Sequence, residues 1–309
     1  MSDKYFPLRL LIIITASFSF TILNCTGMAA SATEYYSIGM AYFDMGKFDE
    51  AEKWLNRAKA ADKTMTASQY NLGRIAYETK RYEDAAKNFE EILKKDPDNV
   101  LALKAAAYTG IKLGDLEKAD RHYERLLRLV PESADDGYNH ALVLYAMERY
   151  EQSKAVMEKY PFALLENKDV ILLYARCQKA LNKVEAIDWY VRWLNDNTDA
   201  KVRFEYAQFL EENELYARAS EEYRQTISEA GENDSKIKRS DVRFALARTL
   251  LTADGESDSG ITELQTAISG GFDDIEAVEK LLKINDINAV NKETLRVIIN
   301  ELHKFNNNL

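Results

Sequence analysis

The chain has 309 residues, of which 46% are hydrophobic and 30% are charged, and its formal net charge is −10. This composition allows a large buried core and differs from that of a disordered chain. Its acidic balance disfavours nucleic acid as a partner, because contacts with phosphates require a basic surface. Only 4 prolines and 12 glycines occur, which favours long helices with short turns over many strands.

The amino terminus has the pattern of an export signal. Lys4 and Arg9 precede an apolar stretch at residues 10–23, which is too short to span a membrane comfortably as a helix. Cys25 follows after a single asparagine. The segment resembles a bacterial lipoprotein signal, with residues 22–25 as the lipobox, and the resemblance implies that Cys25 is acylated after cleavage.

This lipobox is imperfect, because Leu23 and Asn24 stand where small residues are usual. Two alternatives stay open, an ordinary cleaved signal followed by a chance cysteine and an uncleaved anchor. If the segment is a lipoprotein signal, residues 1–24 are removed and residues 25–31 form the lipidated cysteine and a short tether. Thr26 then implies, by resemblance, an exported protein at the outer membrane that faces the periplasm.

A period of 34 residues begins at residue 32. Ala51, Ala85 and Ala119 are 34 residues apart. Other positions of the same period match in type: Gly39 with Gly73, Phe48 with Tyr82 and Leu116, Leu55 with Phe89 and Tyr123, and Pro97 with Pro131. A period of this length predicts stacked helical hairpins.

The second repeat, residues 66–99, has the most complete motif. Its key residues are Tyr70, Asn71, Leu72, Gly73, Tyr82, Ala85, Phe89, Leu93 and Pro97. This pattern resembles the tetratricopeptide repeat family. The resemblance implies an all-α, right-handed superhelical solenoid of about seven hairpins over residues 32–270, followed by a helical cap at residues 271–309.

The later repeats begin near residues 134, 167, 200 and 240 and are less regular. In the fourth repeat Ser153 replaces the usual alanine, and Pro161 is expected to shorten the second helix. In the fifth, Tyr174 stands where a small residue is usual. A longer internal turn is expected at residues 254–260 of the seventh repeat. Two cap helices are expected, at residues 274–284 and 292–305.

In stacked hairpins the first helix of each repeat lines the inner, concave wall. Counted from the start of each repeat, position 5 holds Tyr36, Tyr70, Lys104, Tyr138, Ile171, Phe204 and Phe244, and position 12 holds Phe43, Tyr77, Ile111, Tyr145, Gln178, Glu211 and Leu251. An exposed aromatic stripe of this kind is typical of an interaction site. The alternative is that these aromatic residues only pack adjacent helices together.

From this pattern we predict a ligand groove on the concave wall that takes an extended or helical peptide. Its residues are Tyr36, Met40, Phe43, Tyr70, Arg74, Tyr77, Lys104, Tyr108, Lys112, Tyr138, Tyr145, Phe204, Phe244 and Arg248. The basic residues among them are expected to donate to carboxylates or backbone carbonyls. The carboxylate clamp that some relatives use for chaperone termini is disfavoured, since Tyr36, Met40, Leu101 and Ala105 occupy most of its places.

No catalytic residue, cofactor or metal site is expected. His122, His140 and His303 lie in different repeats without a second histidine at ligand spacing. The segment Asp254–Gly260 is only weakly similar to a calcium loop, because Ser259 replaces the required glycine and Gln265 the bidentate glutamate. Cys177 is expected to be a small buried residue, and the two cysteines imply no disulfide framework.

Two hypotheses follow. The first is a non-enzymatic envelope lipoprotein that serves as a scaffold or assembly factor, with other envelope proteins or peptide segments in its groove and the membrane reached through the lipid anchor. The second is a periplasmic binding module that captures a small hydrophobic solute for a transporter.

Overall fold

The computed structural model describes residues 31–231, 237–253, 257–285 and 287–306. Over these residues it contains seventeen helices and no strand, which confirms the all-α succession of helical hairpins. The helices are α1 (Ala32–Asp44), α2 (Phe48–Ala61), α3 (Thr66–Glu78), α4 (Tyr82–Lys95), α5 (Val100–Leu113), α6 (Leu116–Leu129), α7 (Ala134–Ala146), α8 (Tyr150–Met157), α9 (Pro161–Glu166), α10 (Lys168–Ala180), α11 (Ala186–Asp196), α12 (Ala200–Glu212), α13 (Tyr216–Glu229), α14 (Arg239–Thr252), α15 (Ser257–Ser269), α16 (Ile275–Leu281) and α17 (Ala289–Asn306). The export signal and Cys25 lie outside the described residues.

The chain forms two compact units, Met1–Ile75 and Ala76–Leu309, which we call the N-terminal and C-terminal units. In the N-terminal unit α1 packs against α2. In the C-terminal unit five pairs pack as hairpins: α5 with α6, α7 with α8, α10 with α11, α12 with α13, and α14 with α15. The second helix of each of the first four pairs also contacts the first helix of the next pair, so that each repeat packs on its neighbour.

One large side chain from the second helix fills the centre of each repeat. At position 24 these are Leu55, Phe89, Tyr123, Met157, Tyr190 and Tyr223, each at most 1% exposed. Burial of a side chain of this size contributes about 1.5–3 kcal/mol to the free energy of unfolding. The second helices therefore supply the core of every one of these repeats.

Small residues permit the close approach of the two helices in a hairpin. A Cβ added to Gly39 of α1 would lie 2.8 Å from Cγ of Leu55 in α2. In the fourth repeat, where Ser153 replaces the usual alanine, its hydroxyl donates to the carbonyl oxygen of Ala141 at 2.7 Å. The substitution is tolerated because the buried hydroxyl has an acceptor on the facing helix.

The first helices of the first six repeats end in the same turn. In each, a residue with a positive φ between 53° and 74° follows the helix. These residues are Gly46, Lys80, Gly114, Glu148, Asn182 and Glu214. The next amide then donates back to a carbonyl near the helix end, as from Arg149 to Leu144 at 2.9 Å. This is a Schellman-type end, which glycine favours and a glutamate adopts only at a cost in conformational energy.

The second helix of the fourth repeat is short, as expected, and two other local expectations need correction. Helix α8 ends at Met157, and Pro161 begins the additional short helix α9, where a proline at the first turn costs no hydrogen bond. Residues 257–260, expected in a lengthened turn, belong to α15. The expected cap helices at 274–284 and 292–305 are instead Ile275–Leu281 and Ala289–Asn306.

Gly260 lies where α15 crosses α14, which explains why the turn expected there is absent. A Cβ on this glycine would lie 3.0 Å from the carbonyl oxygen of Ala247 and 2.7 Å from Cγ of Leu251. Four residues further on, Leu264 is fully buried. In the seventh repeat, Gly260 and Leu264 therefore take the places of the small and the large core residue of the other repeats. Both come one residue later in the repeat, because one residue is inserted before them.

We predict that Gly260→Ala lowers the free energy of unfolding by about 1–3 kcal/mol, because backbone atoms of α14 cannot move aside for the methyl group. Urea denaturation of the full chain measures the change. Gly231→Ala is the matched control, since a Cβ at that position meets no atom within 4 Å. Equal stability of the two variants would contradict the proposed crossing.

Candidate functional site

In the N-terminal unit, the predicted groove residues of α1 and α3 form a connected group. Asn71 Nδ2 donates to the Tyr36 hydroxyl at 3.1 Å, and Arg74 Nη1 donates to Asn71 Oδ1 at 2.9 Å. The Arg74 guanidinium lies 4.5 Å from the centre of the Phe43 ring. Met40 and Tyr70 are half-buried as well. The cation of Arg74 is therefore held by groups of its own unit.

The aromatic residues at position 12 are oriented by a second ring at the start of the following helix. Phe43 meets Phe48 at 5.6 Å, Tyr77 meets Tyr82 at 5.4 Å, and Tyr145 meets Tyr150 at 5.3 Å between ring centres. All three pairs are edge-to-face, which is a favourable aromatic geometry. The half-exposed rings are thus fixed in place within three different repeats.

In the C-terminal unit, α5 and α7 share a polar row. Lys104 Nζ lies 2.7 Å from Oδ1 of the buried Asp136. This contact raises the pKa of the Lys104 ammonium, which is therefore charged at neutral pH. One turn further along, Asn139 Nδ2 donates to the Tyr108 hydroxyl at 2.8 Å. Because of its contact with Asp136, the charge of Lys104 is already neutralised by a carboxylate of the neighbouring repeat.

The phenols of Tyr138 and Tyr145 lie on the same side of α7 and are half-buried. Burial raises the pKa of both hydroxyls, and the charges of Asp169 and Glu205, respectively, raise them further. Both phenols remain protonated at neutral pH. They can donate hydrogen bonds to a backbone carbonyl while their rings offer apolar contact area.

Between α10 and α12, Arg176 and Glu205 form a bidentate ion pair. Arg176 Nε and Nη2 lie 3.1 and 2.9 Å from Glu205 Oε2 and Nε lies 3.2 Å from Oε1. The buried Tyr190 hydroxyl donates to the same carboxylate at 2.5 Å. Charge-assisted contacts of this geometry are stronger than neutral hydrogen bonds, so this pair ties two repeats together.

A second bidentate pair joins α12 and α14. Arg248 Nε and Nη2 donate to the two oxygens of Glu211 at 2.7 and 2.8 Å, and Tyr223 donates to Oε2 at 2.7 Å. The ring of Phe244 stacks on Phe272 with 4.2 Å between centres and is 7% exposed. Its prediction as an exposed groove residue is wrong, because the chain after α15 covers it.

We call the predicted residues of the C-terminal unit that are half-exposed, or exposed in the case of Lys112, the first-helix wall. They are Tyr77, Tyr108, Tyr138, Tyr145 and Phe204, with Lys104, Lys112 and Arg248. Ile171, Gln178 and Leu251, which belong to the same two sequence positions, are buried. Exposed aromatic rings therefore recur at α3, α5, α7 and α12, and the pattern does not extend to α14.

The basic residues of the predicted groove were expected to have free hydrogen-bond donors, and for three of the four this expectation is wrong. Arg74, Lys104 and Arg248 are engaged within their own units. Of the four, Lys112 alone makes no side-chain hydrogen bond, ion pair or ring contact among the described residues. The partners Asp136, Asn139, Arg176 and Glu205 were missed from the sequence. Opposite charges in adjacent repeats were the signal that could have identified them.

The remaining candidate residues are structural. Cys177 is fully buried, its Sγ lies 3.4 Å from the Ser153 hydroxyl, and burial raises the pKa of its thiol. His122 and His140 each contact a single carboxylate, of Glu90 and Asp120. Within the described ranges no group of three potential metal ligands occurs, and no helix there is both long and apolar enough to cross a bilayer.

Comparison with known proteins identifies the repeats. Residues 35–64 and residues 70–134 each match a family model described as tetratricopeptide repeat. A crystal structure of a tetratricopeptide repeat protein from Parabacteroides merdae superimposes with a TM-score of 0.54 and 20% identity, covering 82% of this chain and 98% of that chain. Tetratricopeptide repeats are thus confirmed in the first three repeats, and the fold of the larger part of the chain agrees with them.

Two curated relatives align over about half of the chain. Protein O-mannosyl-transferase Tmtc3 of Drosophila melanogaster is 27% identical over 156 residues, which are 48% of this chain and 17% of that protein. An uncharacterized lipoprotein of Treponema pallidum is 24% identical over 153 residues, which are 50% of this chain and 78% of that protein. The chain therefore spans less than a fifth of the fly protein and most of the treponemal one.

We predict that Glu205→Gln lowers the free energy of unfolding by about 1–2 kcal/mol, because Arg176 loses a charged acceptor in a partly buried site. Chemical denaturation measures the loss. Glu276→Gln is the matched control, since Glu276 pairs with Lys280 on an exposed face with side chains 78% and 64% exposed. We expect no measurable change there. A neutral Glu205→Gln would show that the bidentate pair does not tie the repeats together.

Proposed function

We propose that the protein is a non-enzymatic scaffold of the cell envelope that binds other envelope proteins, or extended segments of them, on its first helices. Tetratricopeptide repeats generally serve as protein-interaction scaffolds. The site is the first-helix wall of the C-terminal unit. In the N-terminal unit, a separate group of the same residue types, around Tyr36 and Phe43, provides a further contact surface.

One observation carries this proposal. Aromatic residues of the second helices, such as Phe89, Tyr123 and Tyr223, are at most 1% exposed, whereas Tyr138 and Tyr145 on a first helix remain half-exposed. If both sets served only to pack helices, both would be buried. The asymmetry leaves apolar area and phenolic donors on one side of the repeats, as at protein interfaces.

The existing ion pairs of the basic residues favour an uncharged ligand segment. Lys104 on α5 is already paired with a carboxylate, and so is Arg176 on α10. A ligand carboxylate would have to displace an internal acceptor from each. An uncharged, extended segment meets no such cost, because it needs only backbone carbonyls and amides for the phenols and apolar side chains for the rings.

The envelope location rests on the amino-terminal sequence. A charged lead, a short apolar stretch and Cys25 form the pattern of a lipoprotein signal. The treponemal relative carries the name lipoprotein, which supports the proposal. Burial of acyl chains contributes about 0.8 kcal/mol per methylene, so that several chains on one cysteine hold a protein at a bilayer.

The wall is tested with the double substitution Tyr138→Ala and Tyr145→Ala. We expect this variant to lose at least about tenfold in affinity for a partner that a photo-crosslinking amino acid at Tyr108 first identifies in native envelopes, because two large contact surfaces are removed. Titration of the purified partner measures the affinity.

Phe162→Ala is the matched control for that experiment, since Phe162 is 79% exposed and lies on α9, which carries no residue of the wall. Its affinity should equal that of the unmodified chain. If the double variant binds as well as the control, or if no protein is crosslinked from envelopes, the assignment of the wall as the working surface is refuted.

The lipid anchor is tested by mass analysis of the mature amino terminus. We expect it to begin at Cys25 and to carry acyl groups, and we expect Cys25→Ala to leave the protein unprocessed by lipoprotein signal cleavage. Cys177→Ala is the control, because its thiol is buried and should not affect processing. An unmodified amino terminus at another residue would exclude the anchor.

A further inference from the structure

A cleft of about 430 Å³ lies at the carboxyl-terminal end of the C-terminal unit. It is bounded by the end of α12, the start of α13, the helix α14 and the helix α16. We call it the C-terminal cleft; the residues that define it are Glu211, Tyr216, Phe244, Arg248, Lys280 and Ile284. Its volume falls in the range of small-molecule sites, about 300–1,000 Å³.

One side of the C-terminal cleft is apolar and rigid. Phe244 is held by its stacking on Phe272, and Leu281 at the base is 1% exposed. Tyr216 and Ile284 are half-exposed beside them. An apolar group of a ligand would cover Tyr216 and Ile284 and remove their exposed area from water, which is favourable in proportion to the area covered.

The polar side of the C-terminal cleft has donors in excess of acceptors. Both oxygens of Glu211 are occupied, because Arg248 Nε and Nη2 and the Tyr223 hydroxyl donate to them. Arg248 keeps its Nη1 amino group, which makes no hydrogen bond within the described part of the chain, and its side chain is 41% exposed. Among the described residues, the one partner of Lys280 is Glu276 on its own helix, in an exposed pair at 2.9 Å.

Two cationic donors thus border the same cavity as an aliphatic and aromatic surface, whereas the one carboxylate lining it can accept little more. A ligand that complements this arrangement joins an apolar group to an anionic acceptor. Transfer of Lys280 from Glu276 to a ligand costs little, because exposed ion pairs contribute little to stability.

We propose that the C-terminal cleft binds a hydrophobic carboxylate, with the apolar group against Phe244, Leu281 and Ile284 and the carboxylate accepting hydrogen bonds from Arg248 and Lys280. This chemistry occurs in free aryl or fatty carboxylates and at the carboxyl terminus of a polypeptide that ends in an apolar residue. The proposal does not depend on the function of the first-helix wall.

Calorimetric titration of the full chain with 4-phenylbutyrate tests the proposal, with 4-phenylbutan-1-ol as the uncharged probe of the same shape. A second arm compares an acetylated tetrapeptide that ends in Leu-Phe with its carboxamide. We expect saturable one-to-one binding of at least one carboxylate, and binding at least about tenfold weaker for its uncharged counterpart, because a charge-assisted contact is lost.

Binding of 4-phenylbutyrate assigns the cleft to free carboxylates, and binding of the tetrapeptide alone assigns it to chain termini; both support the proposal. Lys280→Gln should weaken binding several-fold without loss of helix content, since Lys280 is exposed. Glu276→Gln is the matched control and should bind equally well or more tightly. The variant Tyr138→Ala and Tyr145→Ala should bind normally, which separates this site from the wall.

Three results would overturn the proposal. The first is that neither carboxylate binds, and the second is that the alcohol and the carboxamide bind as tightly as their acids. The third is that Glu276→Gln and Lys280→Gln weaken binding equally, which would mean that loss of the exposed pair, and not of the lysine donor, causes the effect.

Discussion

The contact between the two helices of a hairpin is the constraint on which the other features of the chain depend. At Gly39 and Gly260 the facing helix leaves no room for a methyl group, and at Ser153 the side chain donates directly to the opposite backbone. Helices as close as these do not accommodate a large residue at the crossing, and the fifth repeat, where the buried Tyr174 takes the place of Gly39, is the exception. The large side chain must lie one turn further along the second helix, where Leu55, Tyr123 and their equivalents are buried.

Although Tyr206 and Phe209 of α12 are buried in the core, other aromatic residues of the first helices are not needed to fill it. Some of these rings pack against residues outside the repeat, as Phe244 stacks on Phe272. Others, such as Tyr77 and Tyr145, are only fixed from one edge by a second ring. A ring held in this way has lost its rotational freedom before any ligand arrives, so that binding to it costs little further conformational entropy.

The sequence was sufficient for the hairpins because the same local contact recurs with the same residue types, as at Ala51, Ala85 and Ala119. It was misleading at Gly260, since an inserted residue shifts the frame and a glycine near acidic residues is equally typical of a turn. Opposite charges in adjacent repeats indicate which residues could pair between first helices, but the sequence does not determine which of them do. Arg176 with Glu205 and Arg248 with Glu211 are 29 and 37 residues apart, and they form only in particular side-chain conformations.

Those ion pairs also determine where charge is available for a partner. Lys104 of the wall and Arg176 of α10 each pair with a carboxylate of the next repeat, so that packing itself compensates these two cations. Among the described residues after α15 no further hairpin of this type is found, and α16 places Lys280 at the same cleft as Arg248 without adding a carboxylate to its lining. The end of a repeat array is therefore where unbalanced donors are expected, because the pairing that neutralises each internal repeat has no successor there.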